Sequence, residues 1–163
     1  VVQIAQYRGL EPREALKNII YARAYKPGEL LGSIKGLKDQ VRNEVKLLII
    51  DNIASPFRSR YYEMREEKGF SLYSRELASL LYEINILAFN LNLAIVITNQ
   101  LISVPGVGEE PYGSLYLSSF ITHRVLLRRL SAGKRAAKVV FSKGGYKGEA
   151  CYIISETGVE SAK

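Results

Sequence analysis

The sequence has almost none of the residues on which metal clusters and nucleophilic catalysis depend. Its 163 residues include one cysteine, Cys151, and one histidine, His123. A disulfide framework needs paired cysteines, a zinc cluster needs several Cys or His ligands, and Cys/His or Ser/His/Asp catalysis needs a histidine beside its nucleophile. These classes lack their parts here, and His123 is interpreted as an ordinary polar residue beside a strand.

Long apolar runs are also absent. No run reaches the ~18 residues that a membrane-spanning helix needs, and residues 1–10 lack the charged-then-apolar pattern of a secretion signal. The expectation is an intracellular protein, cytoplasmic and nucleoid-associated, with no membrane partner.

What is present is the composition of a folded domain. The chain is 47% hydrophobic and 24% charged, which is ordinary for a globular protein. A chain of this length can bury roughly two-thirds of the surface that its unfolded form exposes, so a single domain over residues 1–163 is predicted. The net charge of +7 favours polyanionic partners such as nucleic acid, although a Lys- and Arg-rich surface without any ligand gives the same balance.

The apolar spacing predicts helices that alternate with strands. Pro12, following Glu11, is a plausible first helical residue and predicts a short helix over 12–17. A strand is predicted at 19–22. Apolar residues recur at helical spacing over 30–41 and again over 74–91, so two longer helices are predicted there.

Two short apolar runs predict the strands of a parallel sheet. The first, 46–50, ends in Asp51, and the second, 93–98, is followed by Asn99 and Gln100. Such runs are typical of strands buried on both faces, and strand, helix, strand at this spacing predicts a right-handed parallel crossover. Further strands are predicted at 120–129, 135–142 and 149–155, and the Gly-containing turns between them favour antiparallel pairing. The predicted fold is α/β, with a mainly parallel sheet and antiparallel carboxyl-terminal strands.

Chemistry is expected where the two apolar strands end, because ligands of open α/β sheets lie beyond the carboxyl ends of the strands. Asp51 could hold the water shell of Mg²⁺, since a hard cation beside phosphates prefers oxygen ligands on a rigid mount. Gln100 could sense a phosphate or a water molecule and transmit that state to the next loop. Asp51 could instead cap the next turn, and Gln100 could be a polar residue that ends a strand. The functional and the structural interpretations of both residues therefore stay open at this point.

Two basic groups are candidates for phosphate contacts. The first mixes cations with rings that can stack on bases, and it comprises Phe57, Arg58, Arg60, Tyr61, Tyr62, Arg65 and Lys68. The second surrounds a turn at Gly133, and it comprises Arg124, Arg128, Arg129, Lys134, Arg135 and Lys138. A solvated loop and a charged hairpin are the respective alternatives, and strand alternation would put the second group on both faces.

Taken together, these segments resemble the RecA/RadA family of DNA recombinases. The resemblance is carried, in order and near the family's spacing, by residues 4–12, 21–25, 46–51, 57–59 and 96–100. It extends over essentially the whole chain, with 111–113 similar to the exit of the family's second DNA loop and 155–159 similar to its carboxyl terminus. It implies the carboxyl-terminal half of a RecA-like P-loop NTPase core.

The resemblance also implies roles for individual residues. Asp51 corresponds to the Walker B aspartate, which binds Mg²⁺ through water, with Asn52 beside the nucleotide, and Gln100 corresponds to the glutamine that links the nucleotide site to DNA. Residues 57–75 correspond to the first DNA loop and 101–117 to the second. The implied DNA contacts are Arg58, Arg60, Tyr61, Arg65, Lys68 and Arg75. The implied partners are DNA, preferably single-stranded, and a RadA-type recombinase or a second copy; the implied cofactors are ATP and Mg²⁺ in a complete core.

The sequence departs from the family pattern in ways that bear on activity. No G-x-x-x-x-G-K-[ST] phosphate-binding loop occurs, so this chain by itself is expected to bind no cofactor, and its DNA-dependent ATPase activity is uncertain. Glu63, Glu66 and Glu67 would oppose phosphate contacts in the first loop. The second loop is short, and 141–146 lacks the aspartate and prolines that cap a neighbour's ATP. These departures favour an accessory RadA paralogue of recombination and repair; an ATP-dependent strand-exchange recombinase and a non-hydrolysing scaffold or mediator are the alternatives.

Overall fold

The computed structural model describes residues 1–40, 45–57, 66–104, 106, 108–111 and 114–162, with the backbone only at 38–40, 66–74, 104 and 114–116. The chain forms two compact units: one comprises residues 21–120, and the other comprises residues 1–20 together with 121–163. Each unit is described by itself below. The single domain expected from chain length stays a prediction.

The described part of the chain contains both helices and strands, and the two alternate over residues 27–97. The helices are α1 (Val2–Tyr7), α2 (Pro12–Lys17), α3 (Pro27–Gln40), α4 (Glu66–Leu91) and α5 (Ser114–Phe120). The strands are β1 (Leu47–Ile50), β2 (Ala94–Ile97), β3 (Leu101–Val104), β4 (Gly108–Pro111), β5 (His123–Arg129), β6 (Arg135–Ser142), β7 (Glu149–Ser155) and β8 (Gly158–Ser161).

Helix α4 supplies most of the core of the 21–120 unit. Its apolar residues at spacings of three and four are almost fully buried, and they are Leu77, Leu80, Leu81, Ile84 and Leu87. Leu30 and Ile34 of α3 join the same cluster. The helix predicted over 74–91 is confirmed, but it begins at Glu66. The family resemblance implied a loop over 57–75, whereas the glutamates, lysine and leucine around Gly69 favour helix strongly enough to outweigh one glycine.

Strands β1 and β2, which precede and follow α4 in the sequence, pair in parallel as predicted. The register runs from Leu47 opposite Ala94 to Ile50 opposite Ile97. One face packs on the helical core, where Ile50 is buried. The other face is open, with Leu47 49% and Ile49 58% exposed. The prediction that β1 is buried on both faces is therefore wrong for the described residues. Helices cover only the face that carries Ile50.

The other unit is built on the antiparallel meander β5–β6–β7–β8. Strands β6 and β7 have the bounds predicted from sequence, and the helix at 12–17 is also confirmed, with Pro12 in its first turn and the Glu11 carboxylate accepting a hydrogen bond from the Glu14 amide at 2.9 Å. The tight turn between β5 and β6 contains Ala132 and Gly133, both with positive φ, at 55° and 75°. Strand β5 starts at His123, after helix α5, instead of at residue 120.

Two strand predictions fail in the described structure. Residues 19–22 form no strand, since no described strand pairs with them and an extended segment is a strand only when it has a partner. The strands also form three separate sheets, β1–β2, β3–β4 and β5–β8, instead of one mainly parallel sheet with an antiparallel edge. The α/β class and the antiparallel carboxyl-terminal strands are confirmed. None of the described helices is both long enough and apolar enough to cross a membrane.

Candidate functional site

The parallel pairing of β1 and β2 brings Asp51 and Thr98 together. Each follows its strand directly, and the last paired residues are Ile50 and Ile97. The Thr98 amide donates to the Ile50 carbonyl at 3.0 Å, and the Ile53 amide donates to the Thr98 carbonyl at 3.2 Å. These backbone bonds continue the pairing beyond the strands. They fix Asp51 and Thr98 side by side at the carboxyl edge of the sheet.

The Thr98 side chain holds the Asp51 carboxylate. Its Oγ1 donates to Oδ1 of Asp51 at 2.5 Å, and hydrogen bonds to an ionised acceptor are short and stronger than neutral ones. In the described part of the chain no hydrogen bond or ion pair engages Oδ2 of Asp51. One carboxylate oxygen is thus held by the protein, and Asp51 as a whole is exposed. Sequence reasoning missed Thr98, although a polar residue at the end of an apolar run, in register with Asp51, was the available signal.

The turn after Asp51 is anchored in the core. Asn52 accepts a hydrogen bond on Oδ1 from the Ser55 amide at 2.7 Å, as a residue that caps a helical turn does. Ile53, Ala54 and Phe57 are 1%, 0% and 1% exposed. The side-chain oxygen of Asn52 is therefore already engaged locally, and the implied contact between Asn52 and a nucleotide stays a prediction.

Gln100 lies between the Asp51 site and the next element of the chain. Its backbone amide donates to Oδ1 of Asn99 at 2.9 Å, and the residue is exposed. Strand β3 begins at the following residue, Leu101. Gln100 therefore directly precedes β3 in the chain. Its implied role as a link to DNA stays a prediction.

The donor set at this edge fits a hydrated Mg²⁺ ion better than a closed metal centre. Among the described residues, no group of three or more His, Cys, Asp or Glu side chains could hold a metal ion. Mg²⁺ keeps several waters and binds through one or two carboxylates plus substrate phosphates. Oδ2 of Asp51 matches that requirement for one carboxylate. The phosphate cradle would have to come from residues outside this sequence.

Most of the DNA contacts predicted in the first segment lie outside the described residues. Arg58, Arg60, Tyr61 and Arg65 are not described, and Lys68 is described only through its backbone in α4. Arg75 is exposed, and it projects from α4 instead of from a loop. The expectation that Phe57 stacks on bases is wrong, because its ring is 1% exposed and belongs to the core cluster.

The second predicted DNA segment begins with a β-hairpin that the sequence analysis did not predict. Strands β3 and β4 pair antiparallel, with Ile102 opposite Glu110 and Ser103 opposite Glu109. Two glycines with positive φ, Gly106 at 77° and Gly108 at 106°, mark its turn and were the available signal. Residues 101–117 contain these two glutamates and no lysine or arginine. This hairpin therefore has no cation with which to contact a phosphate.

The second basic group forms the β5–β6 hairpin, and its cations lie on both faces as strand alternation predicted. Arg129 lies directly opposite Arg135, and Arg135 is in turn opposite Tyr152 of β7. Nη1 of Arg135 donates to the Gly133 carbonyl at 3.3 Å. Like charges directly opposite one another in a sheet repel. An anion between Arg129 and Arg135 would relieve that repulsion, so this row is suited to a phosphate.

A second cation–aromatic cluster lies at the start of the 21–120 unit. Arg23 donates from Nε to Oη of Tyr21 at 3.2 Å and from Nη1 to Oη of Tyr25 at 3.0 Å. Its guanidinium carbon is 5.9 Å from the Tyr21 ring centre and 6.0 Å from the Tyr25 ring centre. The hydrogen bond to Tyr21, followed by the one to Tyr25, raises the pKa of Arg23 above its ordinary value. The cluster fixes an exposed, permanently charged group between two rings.

Comparison with known proteins agrees with these features. The Rad51 family model matches residues 1–162. The chain is 31% identical over 170 residues to the meiotic recombination protein DMC1 homolog A of Oryza sativa subsp. indica, and 31% identical over 170 residues to the DMC1 homolog of Arabidopsis thaliana. Both alignments cover 100% of this chain and 48% of the relative, so the chain spans about half the length of these curated relatives. The resemblance to RecA/RadA-type recombinases is confirmed, and the chain belongs to the Rad51 family.

Proposed function

We propose that this chain is part of an accessory Rad51-family protein of homologous recombination and DNA repair. In the proposal it forms the carboxyl-terminal half of a RecA-like core, binds DNA, and takes part in ATP chemistry when the complete core supplies a phosphate-binding loop. Family membership and the arrangement of Asp51, Thr98 and Gln100 at the carboxyl ends of β1 and β2 support the RecA-like part. The accessory part rests on a different observation.

That observation is the hairpin β3–β4, which stands where the family resemblance implies the second DNA loop. It pairs Ser103 with Glu109 and Ile102 with Glu110, and residues 101–117 carry no lysine or arginine. Affinity for nucleic acid comes chiefly from cations that neutralise phosphates. A strand-exchange enzyme that grips DNA with both loops would be weakened by carboxylates here. The acidic hairpin therefore favours an accessory role.

The ATP-related part of the proposal assigns limited tasks to this chain. Bound Mg²⁺ would supply positive charge at the phosphates of ATP. Asp51 would hold the ion through its water shell, Thr98 holds the Asp51 carboxylate by a hydrogen bond, and Gln100 would connect the site to β3. The water-activating group and the phosphate cradle are not assigned to any residue of this chain.

DNA contact is assigned to the β5–β6 hairpin in addition to the basic segment 57–75. Arg129 and Arg135 form a paired cationic row beside Tyr152, which combines phosphate contacts with a ring that can stack on an unpaired base. Single-stranded DNA is the expected preference, because a ring reaches a base most easily when that base is not paired. Binding of this kind weakens steeply as salt rises.

The proposal is tested on the complete natural protein. Strand exchange, DNA-stimulated ATP hydrolysis, and complex formation with the Rad51-family recombinase of the same organism are measured side by side. An accessory protein binds DNA and the recombinase and gives little strand exchange alone. Robust strand exchange by the protein alone would contradict the accessory assignment and leave the recombinase alternative, which the retained Asp51 and Gln100 favour.

Two variants separate the nucleotide and hairpin parts of the proposal. Asp51→Asn is expected to weaken Mg²⁺-dependent ATP binding while DNA binding persists. A variant with both Glu109→Lys and Glu110→Lys is expected to gain DNA affinity, because it restores cations to the hairpin. An unchanged DNA affinity in the double variant would mean that the hairpin is remote from DNA, and its acidity would then say nothing about strand exchange.

A further inference from the structure

Tyr21, Arg23 and Tyr25 form their cluster on a segment that is attached to the hydrophobic core. Residues 21–24 belong to neither a helix nor a strand. Arg23 reaches the hydroxyls of both tyrosines, so the three side chains lie on one side of the segment, as alternate side chains of an extended chain do. Ala24, between two members of the cluster, packs against the core. The cluster is therefore anchored through the backbone that carries it.

Arg23 has donors to spare and forms no ion pair with the described residues. Its bonds to the two tyrosines use one N–H of Nε and one of Nη1, and a guanidinium carries further N–H groups on both Nη atoms. The carboxylate of Glu29, the acidic residue in the first turn of α3, is engaged by the amides of Tyr25 and Lys26 at 2.9 and 3.3 Å. An anionic ligand can therefore bind Arg23 without displacing a described carboxylate.

The two tyrosine rings flank Arg23 and keep their faces available. The guanidinium carbon is 5.9 Å from the centre of the Tyr21 ring and 6.0 Å from that of the Tyr25 ring. These distances are near the limit of about 6 Å for cation–π attraction and are too long for stacking contact. Tyr21 is 75% and Tyr25 is 66% exposed. Proteins that bind single strands combine cations for the backbone with rings on which bases stack. Here one cation lies between two such rings.

We propose that Tyr21, Arg23 and Tyr25 form a contact site for single-stranded DNA, in which a base stacks on each ring and the phosphate between the two bases binds Arg23. The proposal rests on the DNA binding proposed above, and it adds a site that is remote in sequence from the β5–β6 hairpin. An unpaired strand is required, because the faces of bases inside a duplex are covered by their stacked neighbours. A carboxylate of a partner protein would match Arg23 but would leave both rings unused.

The affinity of the complete natural protein for a fluorescent oligothymidylate, measured by anisotropy, tests the site. Tyr25→Leu is expected to weaken binding about fivefold or more, since it removes one stacking ring, whereas Tyr25→Phe keeps the ring and should bind nearly as tightly as the wild type. Tyr82→Leu is the matched control, because Tyr82 is 61% exposed but lies on α4, and it should leave the affinity unchanged. Arg23→Gln should reduce the slope of log affinity against log salt by about 0.7.

Photochemical cross-linking tests the site in the wild type, without any variant. An oligonucleotide that carries 5-iododeoxyuridine is expected to give adducts on Tyr21 or Tyr25, located by mass spectrometry. If the protein binds no single-stranded DNA, the DNA part of the proposed function fails and this site fails with it. If the protein binds DNA but cross-links only at other residues, or if Tyr25→Leu and Arg23→Gln keep the wild-type affinity and salt dependence, this proposal alone is overturned. Loss of recombinase binding in these variants with unchanged DNA affinity would identify a protein partner and overturn the proposal as well.

Discussion

Replacing Thr98 by valine removes one hydroxyl at the Asp51 site and leaves the shape of the side chain nearly unchanged. The bond lost is the one from Thr98 Oγ1 to Asp51 Oδ1, at 2.5 Å. Hydrogen bonds to charged groups contribute about 1.5–3 kcal/mol when they are buried. Both residues are exposed, so water competes for the carboxylate, and a discounted effect of about 1 kcal/mol, or roughly fivefold in affinity, is expected.

The effect should appear in binding of Mg²⁺-nucleotide and not in folding. The backbone bonds of Thr98 to Ile50 and Ile53, at 3.0 and 3.2 Å, do not involve the side chain, so the pairing of β1 with β2 is retained. Calorimetric titration of the complete protein with Mg-ATP measures the affinity, and Mn²⁺ electron paramagnetic resonance measures metal binding without turnover. Thr98→Ser keeps the hydroxyl and should behave like the wild type.

The outcomes separate the role of Thr98 from the proposed function. If the wild type binds Mg-ATP and Asp51→Asn weakens that binding, but Thr98→Val binds as tightly as the wild type, the positioning argument is refuted. If the complete wild-type protein shows no Mg²⁺-dependent ATP binding, the nucleotide part of the proposed function fails instead. If Thr98→Val and Thr98→Ser both lose affinity for Mg-ATP, the cause would be altered packing at the end of the strand and not the loss of the hydroxyl.

Three further results are expected. Gly32→Ala should raise the free energy of unfolding, measured in urea, by about 1 kcal/mol, because Gly32 is helical and an added Cβ would meet open space. Gly106→Ala should lower the free energy of unfolding, because Gly106 has a φ of 77° that alanine rarely adopts. Hydrogen bonds from Ser155 and, to a lesser extent, Thr157 hold the pKa of Glu160 below its ordinary value of 4.5. The resulting contribution to folding stability is present above pH 4.5 and is lost as the pH falls through the lower pKa of the folded state. Glu160→Gln should therefore make the free energy of unfolding depend less steeply on pH in the acid range. Arg129→Gln should reduce the slope of log affinity for single-stranded DNA against log salt by about 0.7 if Arg129 contacts one phosphate. An unchanged slope would mean that Arg129 does not contact DNA.

The elements that sequence predicted well are those whose cause is local. Pro12 and the Glu11 cap define α2, and the bounds of β6 and β7 follow from the Gly-containing turns around them. The pairing of β1 with β2 also follows locally, since one helix of sufficient length separates two apolar runs. The position of Asp51 at the end of β1 could be predicted for the same reason.

The elements that sequence missed depend on partners. Residues 19–22 have a strand-like composition, yet no described strand pairs with them. Phe57 stands among arginines and tyrosines in the sequence, which indicates a surface loop, but the turn capped by Asn52 directs its ring into the core. Thr98 gains its role only through register with Asp51. In each case the deciding contact comes from another segment, and no periodicity within the segment itself encodes it.

The uneven distribution of charge constrains how nucleotide and DNA can be coupled in this protein. The net charge of +7 includes the cations of the β5–β6 hairpin, whereas residues 101–117, which begin directly after Gln100, carry only carboxylates. Gln100 directly precedes β3, and β3 with β4 has no cation that could gain or lose a phosphate contact. In the proposed function, charge-based coupling from the Asp51 site to DNA is therefore not expected to run through this hairpin. Its exposed apolar residues, Leu101 and Ile102 at 43% and 36%, make it better suited to contact protein than DNA, which is the property expected of an accessory member of the family.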